Sequence, residues 1–138
     1  MTVSDVRPIR CAAFWAMSFV VLYAGSYGLY LAMAASSNPA FYLAVQLLGP
    51  ATFFLFGYGY FRGLGRHEFA LHALVAALWI LATLVAFAVL MGPVYHQPWT
   101  LVLSRGTLMG QSVHFGMMLL AGFAAKRSAA ATLPEGLA

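Results

Sequence analysis

Residues 104–122 read SRGTLMGQSVHFGMMLLAG, and this stretch decides the class of the chain. At about 1.5 Å of rise per residue it is long enough to cross the hydrocarbon of a bilayer. Yet it carries Arg105, Thr107, Gln111 and His114. On a helical wheel Gly106, Thr107, Gly110, Gln111, His114, Met117, Met118 and Ala121 fall on one side. Leu108, Met109, Val113, Phe115, Leu119 and Leu120 fall mostly on the other, with Ser112. In lipid, a face that gathers polar and small groups looks into a protein interior or a wet cavity. Arg105 sits on the apolar side, but at the helix end, where its stem reaches the headgroups.

The rest of the chain agrees with a membrane reading. Of 138 residues, 63% are hydrophobic and 7% charged, and the mean hydropathy is +0.87. A soluble domain carries about 25% charged residues, so this chain could not cover a globular surface. The net charge of +4 does not point to nucleic acid, because the basic residues are scattered at predicted helix ends. Six of the seven are arginine. With abundant Ala, Leu and Gly, that suggests a GC-rich bacterial genome and hence a bacterial inner (cytoplasmic) membrane. Cys11 is the single cysteine, so no intrachain disulfide can form.

Taken in order, residues 1–11 form a short polar lead. A first apolar helix is predicted over residues 12–34. A cleaved signal peptide is the competing reading, since two arginines precede the run and Ala32-Met33-Ala34 resembles a cleavage site. The run is longer than a signal core, which favours a retained helix. Ser36-Ser37-Asn38-Pro39 reads as a turn. A second helix follows over residues 41–61, with Gly49-Pro50 predicted to kink it. The loop with Arg62, Arg66, His67 and Glu68 leads to a third helix over residues 69–91, ended by Gly92-Pro93. The fourth helix stops before Lys126-Arg127, and residues 126–138 read as a disordered tail. The expected fold is therefore all-α: a transmembrane domain over residues 12–125 with four helices in an up-down-up-down bundle. Arg7, Arg10, Arg62, Arg66, Lys126 and Arg127 lie on one side and Arg105 on the other, which places both termini in the cytoplasm. Tyr42, Tyr58, Tyr60, Tyr95 and Trp99 fall near the predicted interfaces.

On the first helix, Tyr23, Ser26, Tyr27 and Tyr30 share one side. Gly25 and Gly28 share the other with Val21 and Ala32, a small face suited to close helix packing, as are Gly106 and Gly110 on the fourth helix. Register places Tyr23 near the depth of His114, Tyr27 near Gln111, and Tyr30 near Thr107. These six residues are the candidate binding stripe, with Gln46 at its top. The stripe is either interhelical glue, worth about 0.6 kcal/mol per hydrogen bond, or a path or pocket for a small polar solute, a proton or a headgroup.

No metal site or cofactor is assigned. His67, His72, His96 and His114 form no short ligand pair, and His72 and His114 differ in depth by roughly 10 Å at the helical rise. That disfavours a haem held by both, although His114 alone could be an axial ligand. His72 is expected at the interface and His67 in solvent. The methionines read as core filler. No residues are assigned as catalytic: Asp5, Glu68 and Glu135 are far apart, and no acid orients a Ser-His pair. The composition points to a non-enzymatic subunit or assembly component of a membrane complex, whose partners are lipid and other subunits or further copies of the chain. The alternative is a small, dimeric transporter or channel-like protein that uses the Tyr/Gln/His stripe.

Overall fold

A computed structural model describes residues 6–36, 38–64 and 67–131. They form helices α1 (Pro8–Ala35), α2 (Ala40–Arg62), α3 (Phe69–Tyr95) and α4 (Arg105–Ala131), with a short 3₁₀ helix, Trp99–Leu103, before α4. The four α-helices are each long and apolar enough to span a membrane. Their hydrophobicity runs around the whole helix rather than along a stripe, as expected where lipid covers the outer face.

Several boundaries run past their predicted ends. Pro8 opens α1, where its fixed φ suits the first turn and its missing N–H would have no partner anyway. The helix α2 continues through Pro50 without a break. Pro93 does not end α3, which runs one turn further to Tyr95. The stop comes from His96, at φ 53°. With the chain turned there, the Gln97 N–H donates to the Met91 carbonyl at 3.0 Å and the His96 N–H to that of Gly92 at 3.1 Å. At the other end, α4 passes through Lys126-Arg127 to Ala131. The remainder of the predicted tail lies outside the described residues.

The pairings follow side-chain size. On α2, Gly49, Phe53, Gly57 and Phe61 recur every fourth position, and on α4 so do Gly110, His114, Met118 and Gly122. Such rows form ridges that fit the grooves of a neighbouring helix. A Cβ at Gly57 would lie 2.6 Å from the Met118 Sδ and 3.3 Å from the Ala121 Cβ, and one at Gly49 would collide with His114. Glycine is needed at both places because the α4 side chain occupies that volume.

Along α1 and α3, Trp79 Nε1 donates to Cys11 Sγ at 3.2 Å and Trp15 Nε1 to Thr83 Oγ1 at 3.1 Å. Phe19 and Phe87 then meet with ring centroids 5.3 Å apart. Each pair is 68 positions apart, so the contacts climb both helices together. The densest packing lies toward the end holding Arg10, Arg62 and Lys126. There Phe53, Tyr60, Phe61, His72, Val75, Trp79 and Met118 are all buried. The basic side chains also fasten this end. Arg7 Nη1 donates to the Gly63 carbonyl at 2.9 Å and Arg10 Nη2 to that of Gly59 at 3.0 Å. Both satisfy carbonyls at the α2 C-terminus, where positive charge is favoured.

Candidate functional site

The polar stripe expected between the first and fourth helices divides into two separate places. Its His114 part packs on α2. The imidazole stacks on Phe53 with centroids 4.6 Å apart and planes 4° from parallel. Nδ1 lies 3.3 Å from Gln111 Oε1 one turn earlier. The ring can lie so close because Gly49 has no side chain. A cavity of about 270 Å³ opens beside it, lined by Leu22, Val45, Gln46, Gly49, Pro50, Gly110, Val113 and His114. Helix α1 contributes Leu22 here, not its tyrosines.

Those tyrosines form the second place. Tyr23, Ser26, Tyr27 and Tyr30 line a cleft of about 600 Å³ with Val94 and Tyr95 at the end of α3. Tyr27 and Tyr30 are exposed. The predicted ladder therefore does not form. The cause is α2, which fills the space beside α4 and takes His114 into the gap at Gly49, leaving the tyrosine side of α1 facing α3.

Thr107 has a local role. Its N–H donates to Ser104 Oγ at 3.3 Å, and the two hydroxyls lie 3.0 Å apart. The Thr107 hydroxyl also donates to the Leu101 carbonyl at 3.3 Å. Ser104 thus caps the N-terminus of α4 in extended backbone. Gln111 is buried and reaches a further cavity of about 330 Å³ with Ile80, Leu84, Leu108, Ser112 and Phe115. Of the expected packing glycines, Gly25 meets Leu48 of α2, 2.9 Å from a Cβ built on it. A Cβ at Gly28, Gly106 or Gly110 would meet nothing within 4 Å among the described residues.

His72, read as an interfacial side chain in the first turn of α3, is buried within the chain. It is 1% exposed, with its ring 4.7 Å from that of Phe61 and 5.8 Å from that of His67. A Cβ on Gly122 would lie 2.6 Å from its Cγ. Neither ring nitrogen has a hydrogen-bond partner among the described residues. His67, expected in solvent, is partly buried, and its Nδ1 is buried without a partner among them. Burial first, and the nearby Lys126 ammonium second, lower the His67 pKa below its ordinary value of 6.5. Among the described residues no group of three or more His, Cys, Asp or Glu could hold a metal ion.

Comparison with protein-family models, with curated proteins and with solved structures returns no match.

Proposed function

We propose that this chain is a non-enzymatic subunit or assembly component of a complex in a bacterial inner membrane. Its helices would cross up-down-up-down with both termini cytoplasmic. The observation that carries the reading is the open small-residue surface: Gly28 on α1 and Gly106 on α4 are exposed, and a Cβ on either would meet nothing within 4 Å among the described residues. Only 11% of the most apolar stretch of α1 is buried, against 28% for α4. Glycine at a lipid-facing position offers little contact to acyl chains, whereas it lets another helix approach closely.

The test is Gly28→Leu and Gly106→Leu in protein purified in mild detergent. With open space at both sites, the isolated chain should keep its thermal stability within about 0.5 kcal/mol, while the mass of the co-purifying assembly falls. An unchanged assembly in both variants would mean that these faces meet lipid. The topology is supported by the basic residues: Arg7, Arg10, Arg62, Arg66, Lys126 and Arg127 would be cytoplasmic and Arg105 periplasmic. Reporter fusions after Arg66 and Lys126 should read cytoplasmic, and fusions near Asn38 and His96 periplasmic. A periplasmic reading at Lys126 would refute the four-crossing arrangement.

One observation favours transport as a second reading. The Tyr23/Tyr27/Tyr30/Tyr95 cleft is the largest of the cavities described above and is lined by hydroxyls and aromatic rings without a formal charge. A solute path through it would be blocked by Ser26→Trp. Loss of a cellular phenotype in that variant, at matched expression and intact assembly, would favour transport over the subunit reading.

A further inference from the structure

Two histidines at the basic end of the molecule carry ring nitrogens that no described residue satisfies. His72 lies in the first turn of α3 and is wholly buried, and neither of its nitrogens has a hydrogen-bond partner among the described residues. His67, just before that helix, buries its Nδ1 in the same state. A buried polar atom without a partner costs about 1–3 kcal/mol, so three at one place call for a reason. The His72 ring is held in position by Gly122 of α4 and by Phe61 of α2. A Cβ on Gly122 would stand 2.5 Å from Nδ1, 2.6 Å from Cγ and 2.9 Å from Cε1. Three such similar distances place it over the face of the ring, not in line with a nitrogen. The lone pair of imidazole lies in the ring plane, so α4 covers the face and leaves the nitrogen edge free.

The His67 and His72 ring centroids stand 5.8 Å apart. A ring nitrogen sits roughly 1.1 Å from its centroid, so a direct N–H···N bond of about 3.0 Å would bring the centroids within about 5.2 Å. Two imidazoles sharing one metal at about 2 Å from each nitrogen have centroids up to about 6.2 Å apart. The observed spacing is too wide for the rings to satisfy each other, and it suits one atom between them. The donors are nitrogen alone. Calcium and magnesium take oxygen, and zinc takes at least three protein ligands. No third His, Cys, Asp or Glu joins this pair among the described residues. Imidazole suits copper, and a filled-shell monovalent ion such as copper(I) accepts two donors. The Lys126 ammonium near His67 repels a divalent ion more strongly than a monovalent one. Burial and the same ammonium keep His67 neutral at pH 7, the state in which imidazole binds metal. We infer that His67 and His72 form a two-coordinate site for a monovalent soft metal ion of the copper(I) class. The ion enters past the half-buried His67 and takes one lone pair from each ring. The remaining His72 nitrogen keeps its hydrogen among the rings of Phe61 and Phe123. The site lies within one chain, so it rests on neither the subunit reading nor the topology.

The test uses the full chain in lipid nanodiscs with ¹⁵N-labelled histidine. The probe is silver(I), a redox-inert analogue of copper(I), added in chloride-free buffer. His67→Gln and His72→Leu each assign one ring by the resonances they remove. The chain has four histidines, so if His72→Leu fails to fold, substitutions of His67, His96 and His114 assign His72 by elimination. In the wild type, Nδ1 of His67 and one nitrogen of His72 should shift together along a single saturating curve. The exposed His96 should shift only at higher silver. In His67→Gln, the His72 shift should be lost at the concentration that saturates the wild type. Silver taken up by Cys11 or by methionines does not confuse the reading, because each imidazole nitrogen is followed separately. Movement of His67 without His72 would overturn the inference and show an adventitious ion only. Separate saturation of the two rings, or an unchanged His72 shift in His67→Gln, would overturn it as well. Equal co-saturation by zinc(II) would overturn the monovalent assignment. No shift at either ring would also refute the site, leaving a bridging water as the atom between the rings.

Discussion

Replacing Gly122 by alanine should press one methyl into the His72 ring. A Cβ there would lie 2.6 Å from Cγ and 2.9 Å from Cε1 of the imidazole, against ordinary contacts beginning near about 3.5 Å. The ring cannot retreat easily, because Phe61 stands 4.7 Å away on α2 and Phe123 lies 6.4 Å away on α4. Overpacking of this kind costs about 1–3 kcal/mol. His72→Ala opens the space and removes two buried nitrogens that have no partner among the described residues. In that background Gly122→Ala should cost less than about 0.5 kcal/mol. The coupling between the two sites is then about 1–2.5 kcal/mol, within the range found for residues in contact. His72→Leu adds a second expectation. It roughly keeps the volume and replaces unpaired polar atoms, which cost about 1–3 kcal/mol each when buried, so it should raise stability. The assay is reversible unfolding in mixed micelles, or steric trapping in bicelles, of the four members of the cycle and of His72→Leu. Equal costs for Gly122→Ala in both backgrounds would refute the contact. A destabilising His72→Leu would show that the nitrogens find a partner in the folded protein.

Trp15→Phe should remove the Nε1 bond to Thr83 while keeping an aromatic ring, at a cost near 0.6 kcal/mol and no more than about 1.7; denaturation in Thr83→Val should show little further loss when the two changes are combined. Arg10→Gln should loosen the α2 C-terminus by removing the bond to the Gly59 carbonyl, read as faster amide exchange at residues 60–64. Because the His67 pKa is lowered in the folded protein, the unfolded chain binds the proton first. The stability contributed by neutral His67 is full above about pH 6.5 and declines as pH falls through its folded-state pKa. Lys126→Gln should move the His67 titration upward by NMR, and an unmoved titration would rule out the Lys126 contribution.

Much of the architecture was legible because lipid imposes few solutions. A backbone in hydrocarbon must satisfy its own hydrogen bonds, so each long apolar run could only be a helix. Helix ends were harder, since they depend on local chemistry that apolarity does not record. Pro93 looked like a stop, yet α3 runs past it to Tyr95, and His96 in the left-handed region makes the actual end. The candidate site was only half legible. The wheel correctly gathered Gln111 and His114 on one face, and these two do hydrogen-bond. What it could not supply was the partner helix. Depth matching pointed to Tyr23 and Tyr27, because polarity was taken as the pairing rule.

In the structure the pairing rule is volume. Without water to expel, helices in lipid associate where side chains interlock, and the interlock is visible as a four-residue repeat on both partners. Gly49, Phe53, Gly57 and Phe61 on α2 alternate small with large. On α4, His114 enters at Gly49 and Met118 at Gly57, while Gly122 yields to His72 from α3. A glycine thus marks where a bulky side chain arrives, and the polar character of His114 is incidental to its docking. The same logic sorts the remaining glycines. Gly25 receives Leu48 and is used within the chain, whereas Gly28, Gly106 and Gly110 receive nothing within 4 Å among the described residues. The gap at Gly110 belongs to the His114 cavity; if volume governs assembly as it governs folding, a bulky side chain from another helix should fill the gaps at Gly28 and Gly106. Leucine at Gly28 or Gly106 should then disturb the assembly and spare the monomer, whereas leucine at Gly57 should destabilise the monomer itself.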